Sequence, residues 1–241
     1  MIDTHTHVLP GIDDGAQTMA QSIAMCRACA ADGVEVMIAT PHQRHEAWQN
    51  RDRAALEALR LELQAAVGER PRILLGAEIH VDSELLSDID RLPASQLLPL
   101  AESRYLLLEF PAVGGPAPRP LLHELLVAGW WPILAHAERM PRWAANPVEL
   151  AMLVELGAFV QITAGSVLGH LGKPARACCT WLLDRGLVHL VGSDTHDTVE
   201  RPPGLSRAHQ AITAGWGAAM ADRLTRLNPG DILANRLPPA V

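Results

Sequence analysis

Lysine is all but missing from this chain: of its 20 lysines and arginines, Lys173 is the only lysine. A site built around a lysine therefore has one candidate, in an expected Gly172-Lys173-Pro174 loop. Long hydrophobic runs are also missing. The apolar stretches fall far short of the roughly 20 residues that a bilayer crossing needs, so no membrane insertion is expected. The first residues lack a basic start and a long apolar run, so no signal peptide is expected and a soluble cytoplasmic protein follows. Positive charge is scarce: the net charge is −7. With no basic stripe interleaved with aromatics, nucleic-acid binding is not expected. The four cysteines lie at Cys26, Cys29, Cys178 and Cys179, inside expected helices with alanine-rich neighbours. They read as reduced, packed thiols rather than as a redox CxxC or half of a zinc site.

What the chain does have is an apolar fraction of 49% over 241 residues and a mean hydropathy of +0.09. That suffices for one barrel-sized domain over 1–241. Short apolar runs alternate with helical stretches, the pattern of parallel βα units. Strands are expected at Met1–Asp3, Glu35–Ala39, Ile73–Leu75, Tyr105–Leu108, Pro132–Ala135, Phe159–Ile162 and Val188–Val191. Helices are expected at Thr18–Ala31, Arg51–Val67, Leu121–Ala128, Val148–Leu156 and Ala175–Arg185, and from Leu205 onward. The fold expected is an α/β, distorted TIM-like (β/α)7 barrel in a single domain. An open doubly wound sheet is disfavoured, because no glycine-rich phosphate loop follows the first strand.

His5 and His7 are the first chemical signal. Residues i and i+2 of an extended chain share a face, so both imidazoles can reach one metal ion. In a parallel barrel, function collects at the C-terminal strand ends. Those ends carry His5 and His7, His42, Glu78, Glu109, His136, and then Asp194 with His196. Asp13 and Asp14 lie in the first loop on the same side. A His, Asp or Glu thus stands at six of the seven expected strand ends, the strand at Phe159–Ile162 excepted. Gln161 and Thr163 there can line the pocket without binding metal. Taken singly, each residue has a bland reading as a loop histidine, a helix cap or a salt-bridge partner.

Five histidines and four carboxylates exceed what one ion takes. Bridging carboxylates point to two or three ions about 3.5–4 Å apart. Nitrogen and oxygen donors without thiolate fit manganese, iron or zinc. Asp14, Glu78, Glu109 and Asp194 charge the pocket negatively, and three divalent ions would reverse its sign, so a loaded site attracts anions. Arg139 and Arg201 lie close enough in sequence to reach the same mouth, and arginine forks match phosphate oxygens. A phosphate ester is the substrate class expected. His45, His80, His123, His170, His189 and His209 lie off the strand ends and are read as structural; His45 alone is near enough to His42 for substrate contact.

MIDTHTHVLPGIDDGA, ATPH, GAEI, LLEFP, AHAER and GSDTHD followed by RPP resemble the successive motifs of the polymerase and histidinol phosphatase (PHP) family. They are most similar to its bacterial capsule-associated, manganese-dependent tyrosine phosphatases, and they span nearly the whole chain. The resemblance implies a distorted seven-stranded barrel holding three metals. It places His5, His7, Glu78 and Asp194 on the first, Glu78, Glu109 and His136 on the second, and Asp14, His42 and His196 on the third. Asp13 is the neighbouring alternative to Asp14. Arg139 and Arg201 match arginines used near phosphate. The implied substrate is the phosphotyrosine-containing tail of a bacterial tyrosine kinase that governs capsule or exopolysaccharide export.

The same residues admit a phosphatase for a small metabolite such as histidinol phosphate, a TatD-like nuclease, or a metal-binding regulatory module. An amidohydrolase bridged by a carbamylated lysine is disfavoured, since Lys173 lies away from the needed strand end.

Overall fold

Several helices of this chain carry their own start and stop signals. A computed structural model describes residues 1–87 and 96–237. Thr18 caps helix α1 (Met19–Ala31), and Gln21 reaches back to complete a capping box. Asp52 caps α2 (Arg53–Val67), and Gly68 ends it at φ 90°. Pro118 and Pro120 lie in the opening turn of α3 (Pro118–Val127), where a missing N–H costs nothing. Lys173, expected in a loop, is the first residue of a later helix, Lys173–Asp184.

The strands are β1 (Ile2–Thr6), β2 (Val36–Ala39), β3 (His42–Gln43), β4 (Arg72–Leu75), β5 (Glu78–His80), β6 (Tyr105–Glu109), β7 (Trp131–Leu134), β8 (Phe159–Thr163) and β9 (Leu190–Gly192). All pair in parallel, in the orders β1-β2-β4 and β3-β5-β6-β7-β8-β9. Seven strands were expected, and the described residues hold nine segments. The difference is two interruptions. Thr40-Pro41 separates β2 from β3, where proline offers no N–H to a ladder. Gly76-Ala77 separates β4 from β5; a Cβ on Gly76 would lie 2.9 Å from Leu100 Cδ2. Before the interruptions, β2 and β4 form the smaller sheet with β1; beyond them, β3 and β5 join the larger sheet. The sheets curl toward each other at the far side, where Asp194 N donates to His5 O (2.9 Å) and His7 N to Thr195 O (3.0 Å).

The outer edge of β4 is covered by side chains of α2. Ile73 N donates to Gln64 Oε1 at 2.6 Å, and Arg60 Nη1 donates to Ile73 O at 2.9 Å, so this edge is closed to another strand.

Strand alternation divides the core in two. Leu106 and Leu108 belong to the large cluster, which also takes in α1 and α3 residues such as Met25 and Leu122. Tyr105 and Leu107 face the other way and join Ile38, Ile133, Leu190 and Ile232 in a second cluster. That cluster plugs the enclosed side of the sheets, and the same parity carries Glu109 to that side at the strand end. Tyr105, the only tyrosine, is fully buried, and its hydroxyl donates to Arg236 O at 2.7 Å. All four cysteines are buried free thiols. Burial pushes the Cys26 and Cys178 thiols up to about 12, as expected of packed, unreactive groups. Among the described residues no helix is long and apolar enough to cross a membrane.

Candidate metal centre

The first strand runs to Thr6 rather than stopping at Asp3, so His5 lies within β1 and His7 one residue beyond its end. Their Nε2 atoms stand 3.2 Å apart. Glu78 Oε2 is 3.2 Å from His5 Nε2 and 3.3 Å from His7 Nε2; Asp194 Oδ1 is 3.5 and 3.6 Å away. His42, in the short strand beyond Pro41, places Nδ1 at 3.2 Å from Glu78 and 3.5 Å from Glu109. Its Nε2 lies 3.3 Å from Asp14, which also sits 3.2 Å from His196 Nε2. His136 Nε2 is 2.6 Å from Glu78 Oε1 and 3.8 Å from Glu109 Oε1. The eight residues named from the strand ends, with Asp14 of the first loop, therefore converge.

The two adjacent aspartates separate cleanly. Asp13 lies behind the cluster: its Oδ2 accepts from His7 Nδ1 at 2.9 Å and from His42 N at 3.2 Å, and its Oδ1 accepts from Gly15 N. Asp14 faces the cluster between His42 and His196. Asp13 is thus a support and Asp14 a possible ligand.

Hydrogen bonds also set the tautomers. Gln161 Nε2 donates to Thr4 Oγ1, which turns Gln161 Oε1 toward His5 Nδ1 at 2.7 Å. His5 therefore carries its proton on Nδ1, as His7 does against Asp13. His196 Nδ1 is held by the Asp194 carbonyl at 3.0 Å. All three turn Nε2 inward. A ring of inward nitrogens and carboxylate oxygens, with the His196 Nε2 and His42 Nδ1 atoms buried and lacking any hydrogen bond, fits cations at its centre. Three groups of ligand-type atoms lie within 4.8 Å of one another: His7, Asp14, His42 and His196; His5, His7 and Asp194; His42, Glu78 and Glu109.

Without cations, protons and imidazoles balance the carboxylates. Burial works against the charged forms of His5 and His7, but Glu78 for the one and Asp13 with Glu78 for the other outweigh it, so both stand above the usual histidine value. Burial also opposes the Glu78 and Asp194 carboxylates. Nearby His5, joined by His136 for Glu78 and by Arg201 for Asp194, holds both below the usual carboxylate range.

Two ligand-type residues have left-handed backbone: His136 at φ 32° and Asp194 at φ 55°. For residues other than glycine such angles cost of order 1–2 kcal/mol and cluster at functional sites. Arg139 and Arg201 both reach Asp194 Oδ2, at 2.5 and 2.7 Å. They share with seven of the metal-type residues a cavity of about 110 Å³ that holds no apolar side chain.

Two residues read as structural lie beside the site. His80 follows Glu78 at the same-face spacing, and its Nδ1 is 3.4 Å from Glu109 Oε2. His45 stacks on Trp48, which stacks in turn on His42. The i+2 spacing from Glu78 was the available signal for His80. None announced Trp48. His189 and His209 lie away from the cluster, against Phe159 and Thr225.

A family model described as capsular polysaccharide synthesis, CpsB/CapC, matches residues 1–234. The tyrosine-protein phosphatase YwqE of Bacillus subtilis is 36% identical over 228 residues, covering 93% of this chain and 89% of that one. The tyrosine-protein phosphatase CpsB of Streptococcus pneumoniae is 29% identical over 247 residues, covering 98% and 100%. One solved structure, from work on YwqE of B. subtilis and CpsB of S. pneumoniae as metal-dependent tyrosine phosphatases, superposes with a TM-score of 0.90 at 33% identity over the whole of both chains. The Escherichia coli phosphotriesterase homology protein superposes with a TM-score of 0.64 at 15% identity, covering 96% and 98%, a likeness of fold.

Proposed function

This chain belongs to the CpsB/CapC family of capsular polysaccharide synthesis, and from that premise we propose that it is a metal-dependent protein tyrosine phosphatase. Its substrate on this reading is the phosphotyrosine-containing tail of a bacterial tyrosine kinase of capsule or exopolysaccharide synthesis, met in the cytoplasm. The observation that carries the reading is the all-polar cavity in which seven ligand-type side chains meet two arginines, with His5 and His7 directly behind Glu78.

Three divalent ions are proposed, manganese before iron or zinc. His5, His7, Glu78 and Asp194 would hold one; Glu78, Glu109 and His136 a second; Asp14, His42 and His196 a third. Bound ions supply Lewis acidity toward phosphoryl oxygens and an attacking water of lowered pKa. Arg139 and Arg201 bind the phosphoryl oxygens. Each spends one N–H group on Asp194, and a guanidinium has five to give. Asp194 thereby sets the direction of both forks. Gln161 and Asp13 hold the imidazoles in the tautomer that presents Nε2. In fold terms, β2 with β3 and β4 with β5 read as two interrupted strands, which makes a seven-stranded barrel and one domain over 1–241.

The test is turnover of a phosphotyrosyl peptide beside histidinol phosphate and DNA ends, with manganese, iron and zinc, before and after complete chelation. Metal-dependent release of phosphate from the peptide is expected. Peptide turnover that survives complete metal removal, or hydrolysis of DNA ends alone, overturns the reading.

A further inference from the structure

The cavity between the arginines offers carboxylates, imidazoles and guanidinium groups and nothing apolar. It suits a phosphoryl group and gives an aromatic ring no apolar contact. A second cavity, of about 380 Å³, opens beside it and shares His196 with it. One wall is α1 and the segment before it, with Ala16, Ala24 and Met25; the other is the turn 196–200, with Val199. Met25 is buried and Val199 is 82% exposed.

We propose, resting on the phosphatase reading above, that this groove seats the aryl ring of the phosphotyrosyl ester. Three observations carry it. The groove adjoins the phosphoryl cavity, with His196 lining both. Its lining combines the aliphatic groups of Ala16, Ala24 and Val199 and the Met25 thioether, a group that makes favourable contacts with aromatic rings, with a polar rim that includes Gln17, Gln21 and Thr198. And the turn that forms one wall is braced: Asp197 Oδ1 accepts from Val199 N (2.5 Å), Glu200 N (2.6 Å) and Arg201 N (3.2 Å). That bracing holds an apolar side chain in solvent, a wall formed before any ligand arrives. The same turn sends Arg201 to Asp194 in the neighbouring cavity. One short segment thus presents charge to the phosphoryl group and methyl groups to what is attached to it. Trp48, the aromatic ring beside His42, is already engaged by His42 and His45.

The test uses Ala24→Trp, which fills the groove from an exposed helix position, and Val199→Asp, which removes the aliphatic wall. In the manganese-loaded protein both variants are expected to lose about tenfold or more in kcat/KM for a phosphotyrosyl peptide. Metal content and the inhibition constant of inorganic phosphate, which needs the polar cavity alone, stay at wild-type values. Wild-type kcat/KM in both variants overturns the inference. So does an equal weakening of inorganic phosphate, which would place the effect at the metal cluster. If the wild-type protein fails to turn over the peptide with any of the three metals, the phosphatase reading fails and the groove falls with it. That result is distinct from an active wild type matched by active variants.

Discussion

Gln161 Oε1 lies 2.7 Å from His5 Nδ1, with the amide nitrogen donating to Thr4 Oγ1. This contact decides which nitrogen of His5 faces the cluster. Gln161→Leu keeps the volume and removes the acceptor. Loss of such a supporting contact is expected to weaken metal binding by about 10–100-fold. Metal titration followed by activity against manganese concentration measures it. Unchanged affinity would mean that the His5 orientation is set by packing.

Arg139 and Arg201 each spend one N–H on the same Asp194 oxygen; on the proposed reading their remaining N–H groups make the fork to phosphate that lysine lacks. Arg139→Lys and Arg201→Lys are each expected to cost about 10²-fold in kcat/KM while the metal content stays full. Elemental analysis beside steady-state kinetics separates this from loss of the ions.

Gly15 packs where nothing larger fits: a Cβ there would stand 2.1 Å from His7 O and 2.6 Å from His7 Cβ. Gly15→Ala must therefore displace the loop that carries Asp13 and Asp14. A displacement of about 1 Å is enough for a 10²-fold loss of activity. Gly230→Ala, within the helix Asn228–Leu233 and with nothing within 4 Å of the added Cβ, serves as the control: kcat/KM should stay unchanged and Tm should rise slightly, since alanine favours the helix.

His189 gives the fold an acid weakness of its own. Burial, aided by Arg223, lowers its pKa from 6.5 to about 4, and its Nδ1 accepts from Val160 N at 3.1 Å. Above pH 6.5 the folded and unfolded chains are both neutral here and no stability is at stake. Between 6.5 and about 4 the unfolded chain takes up a proton that the folded one refuses. Stability falls by about 1.4 kcal/mol per pH unit, roughly 3 kcal/mol in all. His189→Gln should flatten that part of the stability curve, read from denaturant midpoints at successive pH values.

Much of the site was legible because a strand end is a position that sequence can locate. His5, Glu109 and Asp194 follow apolar runs with strand parity, and the structure brings them together. What was hidden is hidden for physical reasons. Asp13 and Asp14 are neighbours in a loop, where no periodicity says which carboxylate turns inward; the hydrogen bonds of Gly15 and His42 to Asp13 decide it. The interruptions at Thr40-Pro41 and Gly76-Ala77 depend on a proline in the ladder and on the approach of Leu100. Neither shows in a hydropathy pattern, so nine segments were read as seven strands. The left-handed backbone of His136 and Asp194 has no signature either, since neither residue type demands it. His80 reads as structural from the sequence because it lies off the expected strand ends, whereas β5 carries it to Glu109.

The single tyrosine of this chain is sealed beneath the cluster, its hydroxyl spent on the Arg236 carbonyl. An enzyme that erases phosphate from tyrosine in the presence of the kinase that writes it would, with an exposed tyrosine, become a target of its own opponent. Here it is a silent bystander to phosphorylation. In a mixture of the folded protein with a tyrosine kinase, no phosphotyrosine is expected to accumulate on this chain.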